Sequence, residues 1–143
     1  MTTTTSAPTT TLPPQQSPAG LFANVILTKA TSLGFAVYVN HMQDQPDKAI
    51  LCFDGRGRLD DRNMSGEHTE RNLVEVHVRA HDHNEAFNAL PVIWEDVLQN
   101  VTATSTGGKI VQCISKANTI GCMGQEPQTR RWRFTQSFLM TII

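Results

Sequence analysis

Residues 73–87 read Leu73–Val74–Glu75–Val76–His77–Val78–Arg79–Ala80–His81–Asp82–His83–Asn84–Glu85–Ala86–Phe87, and the hydrophobic period changes inside them. Val74, Val76, Val78 and Ala80 fall on one face of an extended chain, with Glu75, His77 and Arg79 on the other. That alternation is the signature of a half-buried strand. From Phe87 onward the apolar positions are Leu90, Trp94, Val97 and Val101, at three- and four-residue steps. This is the stripe of an amphipathic helix. Asp82 with Glu85 three residues later is close to a capping box and marks where the helix opens. The strand therefore hands the chain to a helix able to pack back on the strand's apolar face.

Working outward, Ser17–Pro18 supplies a capping hydroxyl and a proline at the first helical position. Phe22, Val25, Ile26, Ala30 and Leu33 then step with helical period, which predicts a helix over 18–33. Gly34 follows where a left-handed residue would end it, with Phe35 placed to fold back. Residues 36–42 and 48–53 read as two strands. The turn Gln43–Asp44–Gln45–Pro46–Asp47 between them predicts a hairpin. Residues 54–69 are polar and aperiodic and read as a long loop, a class usually functional or mobile. The strand at 70–80 and the helix at 83–101 come next. Pro91 inside that helix predicts a kink or a fresh start. Residues 102–108 read as a flexible connection, 109–116 as a strand and 118–128 as a loop. The chain closes on an alternating strand in which Trp132, Phe134, Gln136, Phe138, Met140 and Ile142 share a face.

The order α-β-β-β-α-β-β implies an α+β fold: one mixed or antiparallel sheet of about five strands with two helices on one face. The domain runs over 18–143. Residues 1–17 carry no charged or aromatic side chain and are rich in Thr and Pro, so they read as an extended or disordered arm. The arm lacks the basic start and apolar run of a signal peptide, and no stretch approaches a membrane span of roughly 20 apolar residues. The expectation is a soluble protein without a membrane partner. Net charge is −1, which provides no global basic field for nucleic acid. Cys52, Cys113 and Cys122 are odd in number and include no C-x-x-C, so buried free thiols are expected.

The residues offer little chemistry. His77, His81 and His83 would share a face if the strand ran on, which is a possible zinc arrangement. Asp82 ends the strand before that happens, so solvated or interface histidines are the competing reading. Asp54, Asp60, Asp61 and Glu67 stand among Arg56, Arg58 and Arg62, with no sign of the fixed frame that acid–base catalysis needs. Gly55–Arg56–Gly57–Arg58 is a weak phosphate signal. Arg130, Arg131 and Arg133 flank Trp132, a pattern that suits either single-strand binding or a solvated or interface strand end. Trp94 and Trp132 read as core. No catalytic set, cofactor or metal site is expected, and the chain does not read as an enzyme.

Two stretches carry a family resemblance: Val74–Glu75–Val76–His77–Val78–Arg79–Ala80 running into Asn84–Glu85–Ala86–Phe87, and the closing strand Arg131–Trp132–Arg133–Phe134–Thr135–Gln136–Ser137–Phe138. With the element order, they make residues 18–143 resemble the tail terminator proteins of long-tailed bacteriophages. Such proteins carry a V-x-V-x-x-R strand, a helix opening on Glu-Ala and a final alternating aromatic strand. The resemblance implies a virion protein assembled in the host cytoplasm. Six copies would form a ring that caps the tail tube, stops its polymerisation and meets the head-tail connector protein, with DNA passing through the lumen at ejection. It also implies interface roles for charged residues: Arg56, Arg58, Asp60, Asp61 and Arg62 in the loop, and Arg79, Arg131 and Arg133 on the strands. Another neck or head-completion component, or a small cellular α/β binding domain, are the alternative readings.

Overall fold

A computed structural model of the chain describes residues 17–59, 70–106 and 109–142. Their elements are α1 (Pro18–Ser32), β1 (Ala36–Val39), β2 (Ala49–Leu59), β3 (Glu70–Ala80), α2 (His83–Asp96), a 3-10 turn (Leu98–Asn100), β4 (Thr104–Thr106), β5 (Lys109–Lys116), β6 (Gly121–Gln125) and β7 (Trp132–Ile142). One mixed sheet holds all seven strands in the order β1-β2-β3-β7-β5-β4, with β6 also paired to β7. The α+β class stands, with seven strands where about five were expected.

β3 and β7 form the spine. They pair antiparallel along their whole length, from Glu70 opposite Ile142 to Ala80 opposite Trp132. The alternation of both strands puts Val74, Val76, Val78, Phe134, Phe138 and Met140 on one face, all at most 3% exposed. Phe22 and Ile26 of α1 and Leu90 and Ile93 of α2 close over that face in a single apolar cluster. Each such side chain contributes roughly 1.5–3 kcal/mol by leaving water. Phe138 is the pivot: the Phe22 ring lies 5.3 Å away and the Trp94 ring stacks on it at 6.1 Å.

Local signals explain the helix ends. The Ser17 hydroxyl accepts from the Gly20 amide, and Pro18 fills the first helical position. At the far end Gly34 has φ +86°. Its amide donates to Thr31, while the Phe35 amide reaches back to the Ala30 carbonyl. This double bond pattern closes the last turn, and the left-handed residue it needs favours glycine. In α2 the Asp82 carboxylate accepts from the Glu85 amide at 3.0 Å, as the D-x-x-E spacing implies. The helix runs through Pro91 and stops at Asp96, five residues before the expected end, with the 3-10 turn completing the stretch.

Three further expectations need correction. First, β1 and β2 are parallel, not a hairpin: Ala36 faces Ala49 and Val39 faces Cys52. Residues 40–48 therefore run back along the sheet as a strap, shorter than most parallel crossovers. Met42 packs on Ala36, Tyr38, Ala49 and Leu51, a small second cluster on the face away from the helices. Groups distant in sequence hold the strap, so its local turn signal could not reveal its direction. Second, the first six residues of the expected 54–69 loop are strand, because β2 continues to Leu59 through a bulge between Asp54 and Gly57. A Cβ at Gly55 would meet the Leu73 carbonyl oxygen at 2.7 Å, so the bulge needs a residue without one. Residues 60–69, like the arm over 1–16, lie outside the described residues. Third, β4 and β6 fall in stretches read as a connection and a loop. Their three and five residues are too short and too rich in Gly, Ser and Thr to show a period.

Candidate functional site

The face of the sheet opposite the helices carries the strand residues that the sequence singled out. Arg79 and Arg133 stand directly opposite each other in the β3–β7 ladder. Arg131 enters just before β7. Two like charges facing across a ladder repel, so the local counter-charges decide what this cluster does.

Most of the donors are used inside the chain. Arg79 is 3% exposed. Its Nη2 donates to the carbonyls of Gln43 (2.8 Å), Pro46 (2.6 Å) and Asp44 (3.3 Å), and its Nε to that of Asp47 (3.3 Å). Arg131 is 2% exposed. It gives Nε to Glu126 (2.8 Å), Nη1 to the Asp44 carbonyl (2.6 Å) and Nη2 to the Asp44 carboxylate (3.0 Å). Asp47 adds an oxygen 3.3 Å from Arg131 and another 3.2 Å from His81. The Tyr38 hydroxyl donates to the Gln45 carbonyl. Two buried guanidinium groups thus pin the strap to the sheet and to the β6–β7 turn. Buried charges persist only when paired in this way.

The electrostatics follow from the geometry. Burial and the neighbouring Arg131 charge lower the Arg79 pKa. Burial also acts to lower Arg131, but its bonds to Glu126 and Asp44 outweigh that and raise it. Burial pushes the Glu126 carboxyl up; hydrogen bonds from Thr129 and Arg131, and the charges of Arg131 and Arg133, outweigh it and hold Glu126 below its ordinary value.

Arg133 is different. Its Nη1 lies 3.7 Å from Glu126, and its buried Nε has no hydrogen-bond partner. It is the member of the cluster with donors to spare. Arg56 sits in the β2 bulge, and Arg58 faces Arg71 near the other end of the sheet. Asp60, Asp61 and Arg62 lie outside the described residues. Of the expected interface residues that are described, Arg79, Arg131 and Arg133 gather at one end of the sheet, and the backbone of Arg56 and Arg58 lies toward the other.

The remaining candidates resolve separately. Asp54 accepts from the Ala19 amide at 2.8 Å and from Asn40 at 2.9 Å, so this carboxylate caps α1 from across the sheet. His77 contacts Glu75, His81 contacts Asp47, and the His83 ring meets Trp132 and Phe134 edge-on. No group of three His, Cys, Asp or Glu among the described residues is arranged to hold a metal ion. Cys52 is buried, with its thiol pKa pushed up by burial and by Asp54. Cys113 and Cys122 are exposed, contrary to the expectation of buried thiols. Trp94 and Trp132 pack at the margin of the core. Asp44, Asp47 and Glu126, the acids that set the arginine cluster, read in sequence only as turn residues.

No family model matches the chain, and no curated protein matches it. Its fold is shared with a chain from the virion of a native gene transfer agent particle. The two superpose with a TM-score of 0.58 at 12% identity, covering 90% of this chain and 98% of that one. At that identity the likeness shows the fold alone.

Proposed function

We propose that the chain is a structural protein of a phage-like virion, and that it acts as a tail terminator. Copies close into a ring, most simply of six, on the end of the tail tube. The ring occupies the surface on which tube subunits polymerise and offers a different surface to the head-side connector. DNA passes through its lumen. The observation that carries this reading is the fold shared along nearly the whole length of both chains with a virion component. The resemblance of the β3–α2 seam and of β7 to tail terminators supplies the finer role.

The mechanism is steric and interfacial. A ring of head-to-tail contacts closes only if the rotation between neighbours fits the symmetry. The ring stops growth because its two sides differ. A sheet with one covered face, one open face and two unlike ends can supply such sides. Arg133, whose side chain is partly exposed and only loosely held by Glu126 at 3.7 Å, suits a carboxylate of a neighbouring subunit. The charged stretch from Arg56 to Arg62 suits recognition and register.

The test is to add the purified chain to polymerising tail tube protein and measure tube lengths by electron microscopy. Growth that stops, with the chain bound at one end only, supports capping. Unaltered growth, with binding instead to isolated connector or portal rings, would move the protein to a head-completion role.

A further inference from the structure

We infer that the free outer edge of β6 is a docking edge, and that its occupant is the N-terminal arm of a second copy of this chain. The inference rests on the reading that the protein works as an assembly. β6 pairs with β7 on one side and with no described strand on the other. β4 covers only the first part of β5, from Lys109 to Val111. Cys113–Lys116 and Gly121–Gln125 therefore form one long edge whose outward main-chain groups have no strand partner among the described residues.

Edges of this kind are normally blunted by charge or proline. From Ala117 to Gln125 this one carries neither; Lys116 ends the β5 part of the edge, and a bulge between Cys122 and Gly124 interrupts β6. Met123 is 53% exposed there. A Cβ built at Gly124 would meet nothing within 4 Å, so the space beside the edge is open. The Gly124 amide turns to the Cys122 sulfur at 3.3 Å. The opposite edge of the sheet, β1, differs: Ala36, Val37 and Tyr38 are at most 6% exposed.

The chain itself contains a segment whose composition suits an added strand. Residues 1–16 hold seven threonines and no charged residue. Threonine favours the pleated conformation, and a segment without charge meets no like charge on an edge whose one ionic side chain is Lys116. Pro8, Pro13 and Pro14 cannot donate to a ladder, so pairing would fall to Thr2–Ser6 or Thr9–Leu12. Residues 6–16 reach about 35 Å when extended, against roughly 37 Å for the diameter of a folded chain this long. The arm meets the fold where Ala19 bonds Asp54 of β2, whereas the free edge lies on the far flank beyond β7. A head-to-tail neighbour brings one copy's arm to the next copy's edge. Main-chain pairing then adds a strand, as in other β-augmentation.

The experiment compares the full chain with a variant lacking residues 2–16 and with Met123→Lys, which places a charge on the edge. Sedimentation over a concentration series is the readout, and melting temperatures confirm folding. Both variants should keep the melting temperature and self-associate at least tenfold more weakly. In a Cys113→Ser background, a bismaleimide should join Thr4→Cys to Cys122 between subunits. Equal association of all three proteins overturns arm exchange and leaves the assembly reading intact. A cross-link confined to single chains also overturns it, because the arm then folds on its own edge. A full chain that stays monomeric overturns it as well; the tube-capping assay then decides the terminator role separately.

Discussion

The two ends of the sheet are held by different physics. At one end Arg79 and Arg131 are buried and tie the strap over 43–47 and the β6–β7 turn to the strands through carbonyls and carboxylates. At the other end, Glu70, Ile142 and Val111 share a row of the ladder with Leu59. There the closing groups are ladder bonds and apolar side chains such as Met140 and Ile142. Buried ionic ties are sensitive to the loss of one partner, whereas a ladder tolerates changes beyond its last pair. The difference teaches that Arg79 and Arg131, conspicuous in the sequence as candidate contacts, are spent on holding the fold.

The comparison breaks most visibly at Arg131. Arg131→Met leaves Asp44 without its cation and Glu126 with only the more distant Arg133, and it removes one of the two ties on the strap. The expected loss is about 3 kcal/mol in denaturant unfolding; a loss below roughly 0.5 kcal/mol would mean that solvent replaces the tie. Gly55→Ala tests the other half of the sheet. The new Cβ drives into the Leu73 carbonyl, and overpacking of this kind costs about 1–3 kcal/mol. Asp54→Ala removes a cap from α1 and should cost about 1 kcal/mol, seen as a lower midpoint at unchanged slope.

Acid titration sharpens the contrast. Glu126 is held below its ordinary value of 4.5, so its contribution is present above that pH and fades as pH falls through the lower folded value. Glu126→Gln should flatten this acid limb of the stability profile. A limb unchanged by the substitution would assign it to other carboxylates. The smallest effect on stability is expected from reversing Arg56, Arg58 and Arg62 together: within about 0.5 kcal/mol in unfolding, with assembly weakened. Unchanged assembly would remove that segment from the interface.

Period and capping made the frame legible before any coordinates. The seam at Ala80–Asp82, the Ser17–Pro18 start, the Gly34 stop and the alternation of β7 are local patterns, and the chain folds as they read. The parallel pairing of β1 was not legible, because the groups that decide it, Arg79 and Arg131, come from β3 and the start of β7. β6 was hidden because a Gly-rich strand five residues long has no period to read. Arg79 and Arg131 were singled out, but burial depends on which acids fold over them, and Asp44, Asp47 and Glu126 look like ordinary turn residues in isolation. Which charges meet a partner depends on tertiary placement, so the candidate interface was the least readable part.

The terminator role is tested most directly by tail length in phage particles made without this gene, measured in negative stain. Headless tubes of variable, excessive length are the predicted result, restored to uniform length when the gene is supplied. Tails of normal length that merely fail to join heads would contradict termination and place the protein on the head side of the neck.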